Sequence, residues 1–412
     1  MRMARGLTAA VLAGALMVGN AAAASAEPVP DDTLRWTPAL QGEATGVELI
    51  GGTLRLTAPP VGGTRAKNGP PGDVDEDVPL GMLVLPARRL DVPVNRVDVE
   101  LDATDGSGVL VDVRGKRANG KWMEWVAAEP PAGADAPAAA ALHTPAVQVQ
   151  ARIVFTPKAG TGAEVRGLTL TAYPAPDPRA DADDAPAVSY RVFATHEGLV
   201  GKTTANGHVI TEEDMFVALP SRRALSTRDG SDYSVRVCAP HGRCAYAPVW
   251  DVGPWNTRDD YWSAPDERQD WRDLPRGVPQ AQAATQDGHN GGKDQFGRTV
   301  LNPAGIDLSG RLFFDALVLK NNEWVTVDYL WTGQAELASV NAEGGVEVRA
   351  APNGKAKIVA LAADRAGVPV QCAIDARDGR WLQIGPGQFL PAATVPQAPS
   401  VPTCDRIPAD PS

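Results

Sequence analysis

The chain has 412 residues, a formal net charge of -11 and an apolar fraction of 43%. An acidic surface is repelled by phosphate backbones, which excludes nucleic acid as the expected partner. At about 150 residues per domain, this length predicts two or three domains rather than a single core.

Residues 1–26 have the three-part pattern of a secretory signal peptide. Arg2 and Arg5 make the start positive, residues 7–18 are apolar, and residues 24–26 (Ala-Ser-Ala) form a small-residue cleavage site. The apolar run is shorter than the roughly 20 residues that a membrane helix needs, and no later stretch approaches that length. A buried N-terminal helix is the alternative. The pattern therefore predicts a secreted, extracellular protein without a transmembrane segment.

Alternating apolar and polar residues predict an all-β fold for the rest of the chain. The alternation is clear in residues 147–155 and 168–173 and partial in residues 109–114. A period of two gives each strand one buried and one solvated face, and no long helical period follows the signal peptide. We expect an N-terminal β-sandwich over residues 30–173, joined to the next domain by a Pro- and Asp-rich linker over residues 174–187.

Two tryptophans stand close together in the predicted sandwich. Trp122 and Trp125 differ by three positions, so they fall on opposite faces of a strand. The strand-turn-strand pattern over residues 111–125 resembles the jelly-roll-like modules that precede catalytic domains in secreted actinobacterial wall amidases. We expect one ring in the core, and core or rim packing of the second is favoured over a role as a sugar platform.

Three short motifs stand in order in the central segment, residues 188–332. They are Thr-Ala-Asn-Gly at residues 204–207, Asp-Val-Gly-Pro at residues 251–254 and Ile-Asp-Leu-Ser at residues 306–309. In this order they resemble the double-psi β-barrels of the rare lipoprotein A family and of expansins. The resemblance implies that residues 188–332 form a double-psi β-barrel that engages cell-wall glycan.

Two aspartates of these motifs are the candidate catalytic residues. Asp251 follows an apolar pair that ends a buried strand and precedes a sharp Gly-Pro turn, so we expect its side chain to project into a groove. Alternation places Asp307 opposite its apolar neighbours. Two carboxylates that face one groove suit glycoside chemistry, because burial and mutual repulsion drive their pKa values apart. The resemblance implies that Asp251 is the catalytic candidate of lytic transglycosylases, and that Asp307 is the residue that expansins need and related endoglucanases use as an acid.

Structural roles are the alternative for both aspartates. Asp251 beside Gly-Pro could cap the backbone amides of a turn, and Asp307 could cap a short helix that begins at Leu308. The rare lipoprotein A pattern also has a His before Leu-Pro, whereas residues 216–220 (Phe-Val-Ala-Leu-Pro) contain none. Activity through that family's residue set therefore depends on the fold bringing in another histidine. The candidates are His196, His208 and His289.

A long insertion, residues 256–302, separates the second motif from the third. Loops of this length inside a compact domain are usually functional or disordered. Aromatic rings in and just before the insertion offer apolar platforms for sugars, and the alternative is that they pin the loop to the barrel. Residues 287–294 resemble a calcium loop in composition, but their spacing favours a Gly-rich turn, and we predict no metal and no cofactor. The candidate glycan-binding residues are Thr204, Asn206, Trp255, Tyr261, Trp262 and Trp271.

Residues 338–395 resemble a bacterial SH3-like domain. The resemblance rests on Val-Glu-Val-Arg at residues 346–349, a late Trp strand at residues 380–384 and a Gly-aromatic strand at residues 387–391. Such modules bind wall peptides or glycan, and the alternative is a small barrel that only packs on its neighbour. A Pro-rich tail over residues 396–412 follows this module.

Four cysteines remain in the predicted exported protein, and export favours disulfides. Cys238 and Cys244 flank a turn-like stretch, so proximity pairs them with each other and leaves Cys372 to pair with Cys404. Four cysteines allow three connectivities, so this pairing is an inference from spacing. A zinc site formed by Cys238, His241 and Cys244 is the alternative.

Together these patterns predict a secreted, cell-wall-associated monomer that binds peptidoglycan or another wall polysaccharide, or remodels it without hydrolysis. The SH3-like module would add a second contact and raise avidity. The first alternative is a peptidoglycan-cleaving enzyme, a lytic transglycosylase or glycosidase, that uses Asp251 and Asp307. The second alternative is a protein that binds a non-glycan partner.

Overall fold

The computed structural model describes residues 33–57, 81–104, 108–130, 137–159, 162–176 and 186–404. The predicted signal peptide, most of the predicted linker and the last part of the Pro-rich tail lie outside the described residues. Strands make up the architecture of the described ranges, and the single α-helix there is α1 (Gln280–Asp287). The all-β fold predicted from alternation is therefore confirmed. No helix in this part of the chain has the length and apolar character needed to cross a membrane.

The N-terminal strands form one hydrogen-bonded sheet. They are β1 (Leu34–Trp36), β2 (Glu43–Thr45), β3 (Val47–Ile50), β4 (Thr53–Leu56), β5 (Gly81–Val84), β6 (Arg88–Ala103), β7 (Val109–Lys116), β8 (Val126–Ala127), β9 (Ala138–Phe155) and β10 (Glu164–Pro174). The order along the sheet is β2, β5, β9, β6, β10, β4, β3, while β1 pairs with β10 and β7 with β8 and β9. The three alternating stretches of the sequence lie in β7, β9 and β10. Their inward side chains share one apolar core with β6, as at Val97, Val113, Ile153 and Leu168.

Six strands of the central segment close into a barrel. They are β11 (Ser189–Glu197), β12 (Val217–Leu219), β13 (Ser234–Cys238), β14 (Cys244–Val252), β15 (Ala304–Ser309) and β16 (Glu323–Tyr329). The ring runs β12, β15, β11, β16, β13, β14 and returns to β12. The pairings of β11 with β15 and of β12 with β14 are parallel, and the other four are antiparallel. A closed ring leaves few strand edges exposed, and apolar side chains such as Val217, Val249 and Ile306 fill its interior.

The C-terminal strands continue from the barrel. They are β17 (Leu337–Ser339), β18 (Val346–Arg349), β19 (Ile358–Ala362), β20 (Gly367–Pro369), β21 (Cys372–Ala376), β22 (Gly379–Gly385) and β23 (Gln388–Pro391). The first half of β14 pairs in parallel with β19, and the sheet then continues through β18, β23, β22 and β21. A separate two-stranded sheet joins β17 and β20. Backbone hydrogen bonds therefore tie this unit directly to the barrel.

Both predicted disulfides are present. Cys238 and Cys244 are paired across β13 and β14 with their Cα atoms 4.0 Å apart. Cys372 of β21 is bonded to Cys404, with a Cα–Cα distance of 5.1 Å. The connectivity inferred from spacing is confirmed, and the two thiols of the alternative zinc site are joined to each other.

The N-terminal sheet packs on the barrel through buried charges and aromatic rings. Asp112 of β7 accepts hydrogen bonds from Arg152 (2.9 Å) and Arg222 (3.1 Å), and all three side chains are buried. Trp125 is buried, as predicted for one ring of its pair, whereas Trp122 is partly exposed under the guanidinium of a neighbouring arginine. The largest apolar cluster contains residues from all three units. This cluster joins the barrel to the C-terminal unit and includes a few side chains of the N-terminal sheet, most of whose apolar residues form a separate core.

Candidate functional site

Strand pairing places the two candidate aspartates in one row across the barrel wall. Ala218 of β12 is paired with Asp251 of β14 on one side and with Asp307 of β15 on the other. Thr195 of β11 is paired with Asp307 in the next position. Neighbouring strands lie about 4.8 Å apart, so the two aspartate backbones are about 10 Å apart, and residues in register project to the same side. The small side chain of Ala218 leaves room for the two carboxyl groups to approach each other.

The Asp251 carboxyl group is sealed beneath a turn. Its Oδ1 accepts the N–H groups of Ala205 (2.8 Å) and Val252 (2.9 Å), and the residue is 0% exposed. The expectation that Asp251 projects into an open groove is therefore wrong. The physical reason is that all nine residues of β14 are buried, so neither face of this strand reaches solvent. Asp251 does cap backbone amides, which is the alternative role that the sequence allowed.

The turn at residues 204–207 is built to hold Asp251. Thr204 Oγ1 donates to Asn206 Oδ1 (2.6 Å), and Asn206 Nδ2 donates to the carbonyl of Thr227 (3.2 Å). Both Thr204 and Asn206 are buried. The prediction that these two side chains contact glycan is therefore replaced by a structural role, because their hydrogen bonds shape the turn that presents an amide to Asp251.

A third carboxyl group, that of Glu197, lies with the two aspartates. Glu197 is the last residue of β11, two positions after Thr195, so both side chains lie on one side of the strand. It is 6% exposed and shares a hydrogen bond with Asp251. A hydrogen bond between two carboxyl groups requires a proton on one of them. We call Glu197, Asp251 and Asp307 the carboxyl cluster. Glu197 belongs to none of the three sequence motifs, and its one signal in the sequence is an acidic residue at the end of a strand.

Burial raises the pKa of Asp251 to about 7. Removal of the carboxylate from water is the largest cause, and the negative charge of Asp307 acts in the same direction. The hydrogen bonds from two backbone amides and from Glu197 act in the opposite direction but are weaker together. Asp251 Oδ2 is buried and accepts no N–H group from the residues that the structure describes. Asp251 is therefore suited to carry a proton up to neutral pH.

Asp307 is the half-buried member of the carboxyl cluster and the one that solvent reaches. Its Oδ1 accepts a hydrogen bond from Thr195 Oγ1. The residue lies within β15, and the helical turn that follows begins at Leu312 with Arg311 at its N-cap, so Asp307 does not cap that turn. An approaching ligand would meet Asp307 first, with Asp251 and Glu197 behind it.

The carboxyl cluster can hold and exchange a proton close to neutral pH. Carboxyl groups that share one site cannot all ionise at the same pH, so their titrations separate. The buried Asp251 keeps its proton to about pH 7. Asp307, at the surface, is the group that can hydrogen-bond a ligand hydroxyl or glycosidic oxygen. This arrangement suits either recognition of hydroxyl groups or general acid chemistry.

Three of the four candidate aromatic rings are buried and fix the insertion to the barrel. Trp255, Tyr261 and Trp262 are 4%, 0% and 1% exposed. Tyr261 Oη donates to the carbonyl of Gly305 (2.9 Å), and Trp262 stacks on Tyr329 with the ring centroids 5.4 Å apart. These rings have no face open to a sugar, so the prediction that they form a platform is wrong, and the alternative that they pin the loop describes them.

Trp271 differs from the other three rings because it is partly exposed. Its ring meets the edge of His289, with the centroids 5.4 Å apart, and His289 Nε2 lies 3.0 Å from Asp273 Oδ2. Trp271 therefore stays a predicted glycan-binding residue, and His289 is engaged by an aspartate outside the carboxyl cluster.

The other two candidate histidines also have different surroundings from the carboxyl cluster. His208 Nε2 lies 2.8 Å from Asp214 Oδ2. His196 alternates to the opposite side of β11 from the carboxyl cluster, where its ring packs against Phe313 and Phe314. The hydrogen bond of His208 and the packing of His196 direct both rings toward other partners.

The glycine-rich segment after α1 forms a turn. Gly288 has a φ of 71°, in the left-handed region that favours glycine, and it ends the helix. Asp294 accepts hydrogen bonds from Arg298 Nε (2.5 Å) and from the backbone N–H of Phe296 (3.0 Å). Asp294 is the carboxylate that a calcium loop would need here, and it is hydrogen-bonded to an arginine instead. Residues 287–294 therefore form the Gly-rich turn that their spacing favoured.

Comparison with known proteins adds one finding. A family model described as a domain of unknown function (DUF8814) matches residues 188–328, which span the barrel from β11 to nearly the end of β16. Neither a curated protein nor a solved structure matches the chain.

Proposed function

We propose that this protein is secreted and binds cell-wall polysaccharide through its central barrel, with Asp307 as the contact residue. The observation that carries the proposal is that the three sequence motifs meet at one place. The turn at residues 204–207 supplies an amide to Asp251, and Asp251 interacts electrostatically with Asp307 of the third motif. Motifs far apart in the chain that converge on one carboxyl cluster favour a shared chemical role over three separate turns.

The topology of the central segment supports the resemblance to double-psi β-barrels. Six strands close into a ring, and two of the pairings are parallel. Each parallel pair brings one of the two motif aspartates beside a neighbouring strand: Thr195 beside Asp307, and Ala218 beside Asp251. We therefore retain the rare lipoprotein A and expansin type as the proposed family of the barrel.

The C-terminal unit, which we propose to be SH3-like, would supply a second wall contact. Its strands hydrogen-bond to the barrel through β14 and β19, so the two units have a fixed relative position. Two weak sites held in fixed positions on one chain bind a polymer more tightly than either alone, because the second contact becomes intramolecular. Binding or non-hydrolytic remodelling of the wall needs no more than these two contacts.

Cleavage of the glycan is a second candidate, and the high pKa of Asp251 favours it. A neutral carboxyl group held behind Asp307 could return a proton to it after Asp307 has protonated a glycosidic oxygen. Only Asp307 is placed to touch substrate, so this candidate departs from the predicted pair of substrate-contacting aspartates. The proton would pass from Asp307 to the leaving oxygen as the glycosidic bond breaks, and Asp251 would then reprotonate Asp307. A water molecule or a sugar hydroxyl group would add to the anomeric carbon and give its own proton back to Asp251.

A sacculus experiment tests both candidates. The mature protein is incubated with purified sacculi, and the bound fraction and the released muropeptides are measured for the natural chain and for Asp307→Asn. The matched control is Asp266→Asn, which changes an exposed aspartate of the insertion. We expect retention on sacculi, at least a tenfold loss of affinity in Asp307→Asn and none in the control.

New muropeptide ends that disappear in Asp307→Asn would establish cleavage, and retention without new ends would establish binding alone. Free passage of the natural protein through sacculi would contradict both and favour a non-glycan partner. Equal losses in both variants would show that Asp307 has no specific role.

A further inference from the structure

A cavity lies between the N-terminal sheet and the barrel, and its lining contains no residue of the carboxyl cluster. Its volume is about 500 Å³. Small-molecule sites commonly have volumes of about 300–1,000 Å³ and occur preferentially at domain interfaces. Arg117 and His143 line it from the N-terminal sheet, and Glu267 and Arg276 line it from the barrel insertion. We call this space the interface cavity.

Glu124 is the fixed acceptor of the interface cavity. Its Oε1 accepts the indole N–H groups of Trp262 (2.7 Å) and Trp331 (2.7 Å), so the carboxyl group has one defined orientation. Its Oε2 lies 3.9 Å from Arg223 Nε, which is longer than a hydrogen bond and leaves that oxygen able to accept one from a ligand. Burial raises the pKa of Glu124. A preoriented and desolvated carboxyl group at a cavity wall is a feature of binding sites.

The opposite charge comes from Arg276 at the cavity mouth. Its Nε donates to the carbonyl of Trp262 (2.8 Å), which anchors the guanidinium. No carboxylate of the described residues pairs with its terminal nitrogens, and the side chain is exposed. Arg117 Nε is held by Thr144 Oγ1 at 3.1 Å. The Arg276 guanidinium and the oriented Glu124 carboxyl group line the same cavity, and this pair suits a ligand that has both a carboxylate and hydroxyl groups.

We infer that the interface cavity binds a saccharide that carries a carboxylate. Its carboxylate would face Arg276, and its hydroxyl groups would bond to Glu124 and Glu267. Hydroxyl groups both donate and accept, which matches a wall that carries donors (Arg117 and Arg276) as well as acceptors (Glu124 and Glu267). This inference does not depend on the proposed role of Asp307.

The interface cavity is held open by rigid contacts around it. Tyr233 Oη donates to the carbonyl of Met123 (2.6 Å), and Arg152 Nη2 donates to the carbonyl of Arg222 (2.8 Å). Both hydrogen bonds join the N-terminal sheet to the barrel and are buried. A cavity that exists before binding avoids the free-energy cost of ordering its walls around a ligand.

Calorimetric titration of the mature chain tests the inference. The probes are D-glucuronic acid, its neutral counterpart D-glucose, and N-acetyl-D-alanine, which has a carboxylate but no sugar ring. We expect D-glucuronic acid to bind at millimolar concentration and the other two to bind at least tenfold more weakly. Arg276→Gln should weaken binding of D-glucuronic acid about tenfold, which is about 1.4 kcal/mol. Arg272→Gln, an exposed arginine that does not line the cavity, is the matched control and should change nothing.

A second variant, Glu124→Gln, keeps an oxygen for the two indole N–H groups and should weaken D-glucuronic acid and D-glucose alike. Absence of D-glucuronic acid binding, equal binding of D-glucose, or tighter binding of N-acetyl-D-alanine would each overturn the inference, the last in favour of a peptide ligand. Equal losses in Arg276→Gln and Arg272→Gln would overturn it too. Asp307→Asn should leave D-glucuronic acid binding unchanged, which separates this site from the carboxyl cluster.

Discussion

Two buried aspartates in this molecule, Asp112 and Asp251, have pKa values that are shifted in opposite directions. Burial acts to raise the pKa of Asp112, but its ion pairs with Arg222 and Arg152 outweigh that effect and bring the pKa to about 2. Asp251 is equally buried, yet its neighbours are amides and carboxyl groups, and its pKa rises to about 7. Burial alone therefore does not mark a functional carboxyl group. The charge of the neighbours decides whether the buried acid stabilises an interface or holds a proton.

Asp259 lies between these two cases. It is buried and paired with Arg268, but burial outweighs the ion pair and raises its pKa to about 6. One arginine is thus too weak to reverse the effect of complete burial here, whereas the two arginines of Asp112 suffice. The comparison predicts different responses to neutralising substitutions in the interface and in the barrel.

The largest effect is expected from Asp112→Asn. The substitution leaves Arg152 and Arg222 buried without a counter-charge, and removing one partner of a buried ion pair typically costs about 3–5 kcal/mol. Urea unfolding at pH 7 should show a loss of this size in the free energy of unfolding, with Asp266→Asn as the exposed control. A loss below about 1 kcal/mol would mean that water reaches the two arginines.

Asp251→Asn should increase the free energy of unfolding at high pH, whereas Asp112→Asn lowers it. The pKa of Asp251 is raised above its ordinary value of 3.8, so the native state keeps a proton that the unfolded chain releases. The stability of the natural chain should therefore fall as the pH rises from about 4 to about 7. The asparagine does not titrate, so the variant should not show this decrease. We expect Asp251→Asn to unfold with a free energy higher by on the order of 2 kcal/mol at pH 8, with a smaller difference at pH 4.

Asp112 supplies the internal contrast for that pH profile. Its pKa is lowered, so its contribution to stability is present above about pH 4 and is lost as the pH falls toward about 2. Thermal unfolding between pH 2 and pH 9 should separate the two windows. A profile of Asp251→Asn that runs parallel to the natural chain between pH 4 and pH 7 would refute the raised pKa.

The difference between these sites also defines what the sequence could predict. Alternation located β7, β9 and β10 because each has one buried and one solvated face. The expectation for Asp251 rested instead on its position at a strand end before a Gly-Pro turn, and it failed because all of β14 is buried and Asp251 is hydrogen-bonded to the turn at residues 204–207. Spacing was enough for both disulfides, since Cys238 and Cys244 lie across one hairpin.

Tertiary packing decided the features that the sequence analysis missed. Trp255, Tyr261 and Trp262 look like exposed sugar platforms in a polar loop, but the loop folds back and buries them. Glu197 belongs to no motif, and only the pairing of β11 with β15 brings it near Asp307. The order of the three motifs predicted that Asp251 and Asp307 would meet, whereas which of them faces solvent depended on the whole barrel.

Glu197→Gln should have a smaller effect than Asp251→Asn. Glu197 can donate a hydrogen bond to the ionised Asp251 only while it carries the shared proton, whereas a glutamine amide donates at every pH, so the pKa of Asp251 should fall. The decrease in stability should then end at a pH about one unit lower than in the natural chain. The free energy of unfolding at pH 8 should rise by about 1 kcal/mol. Carboxyl carbon chemical shifts of labelled aspartate, followed by NMR over pH 3–9, would measure the shift, and an unchanged titration would show that Glu197 and Asp251 do not share a proton.

The smallest change in stability is expected from Asp307→Asn, although this substitution should have the largest effect on glycan binding. Asp307 is half-buried, and the asparagine oxygen can still accept the hydrogen bond from Thr195, so the free energy of unfolding should change by less than about 1 kcal/mol. Loss of its negative charge should also lower the pKa of Asp251, because that charge is one of the two causes that raise it. The same NMR titration, combined with sacculus binding, distinguishes a chemical from a structural role for Asp307. Loss of binding with intact stability and a lower Asp251 pKa supports the carboxyl cluster as one functional unit, whereas a large loss of stability would assign Asp307 to the framework of the barrel.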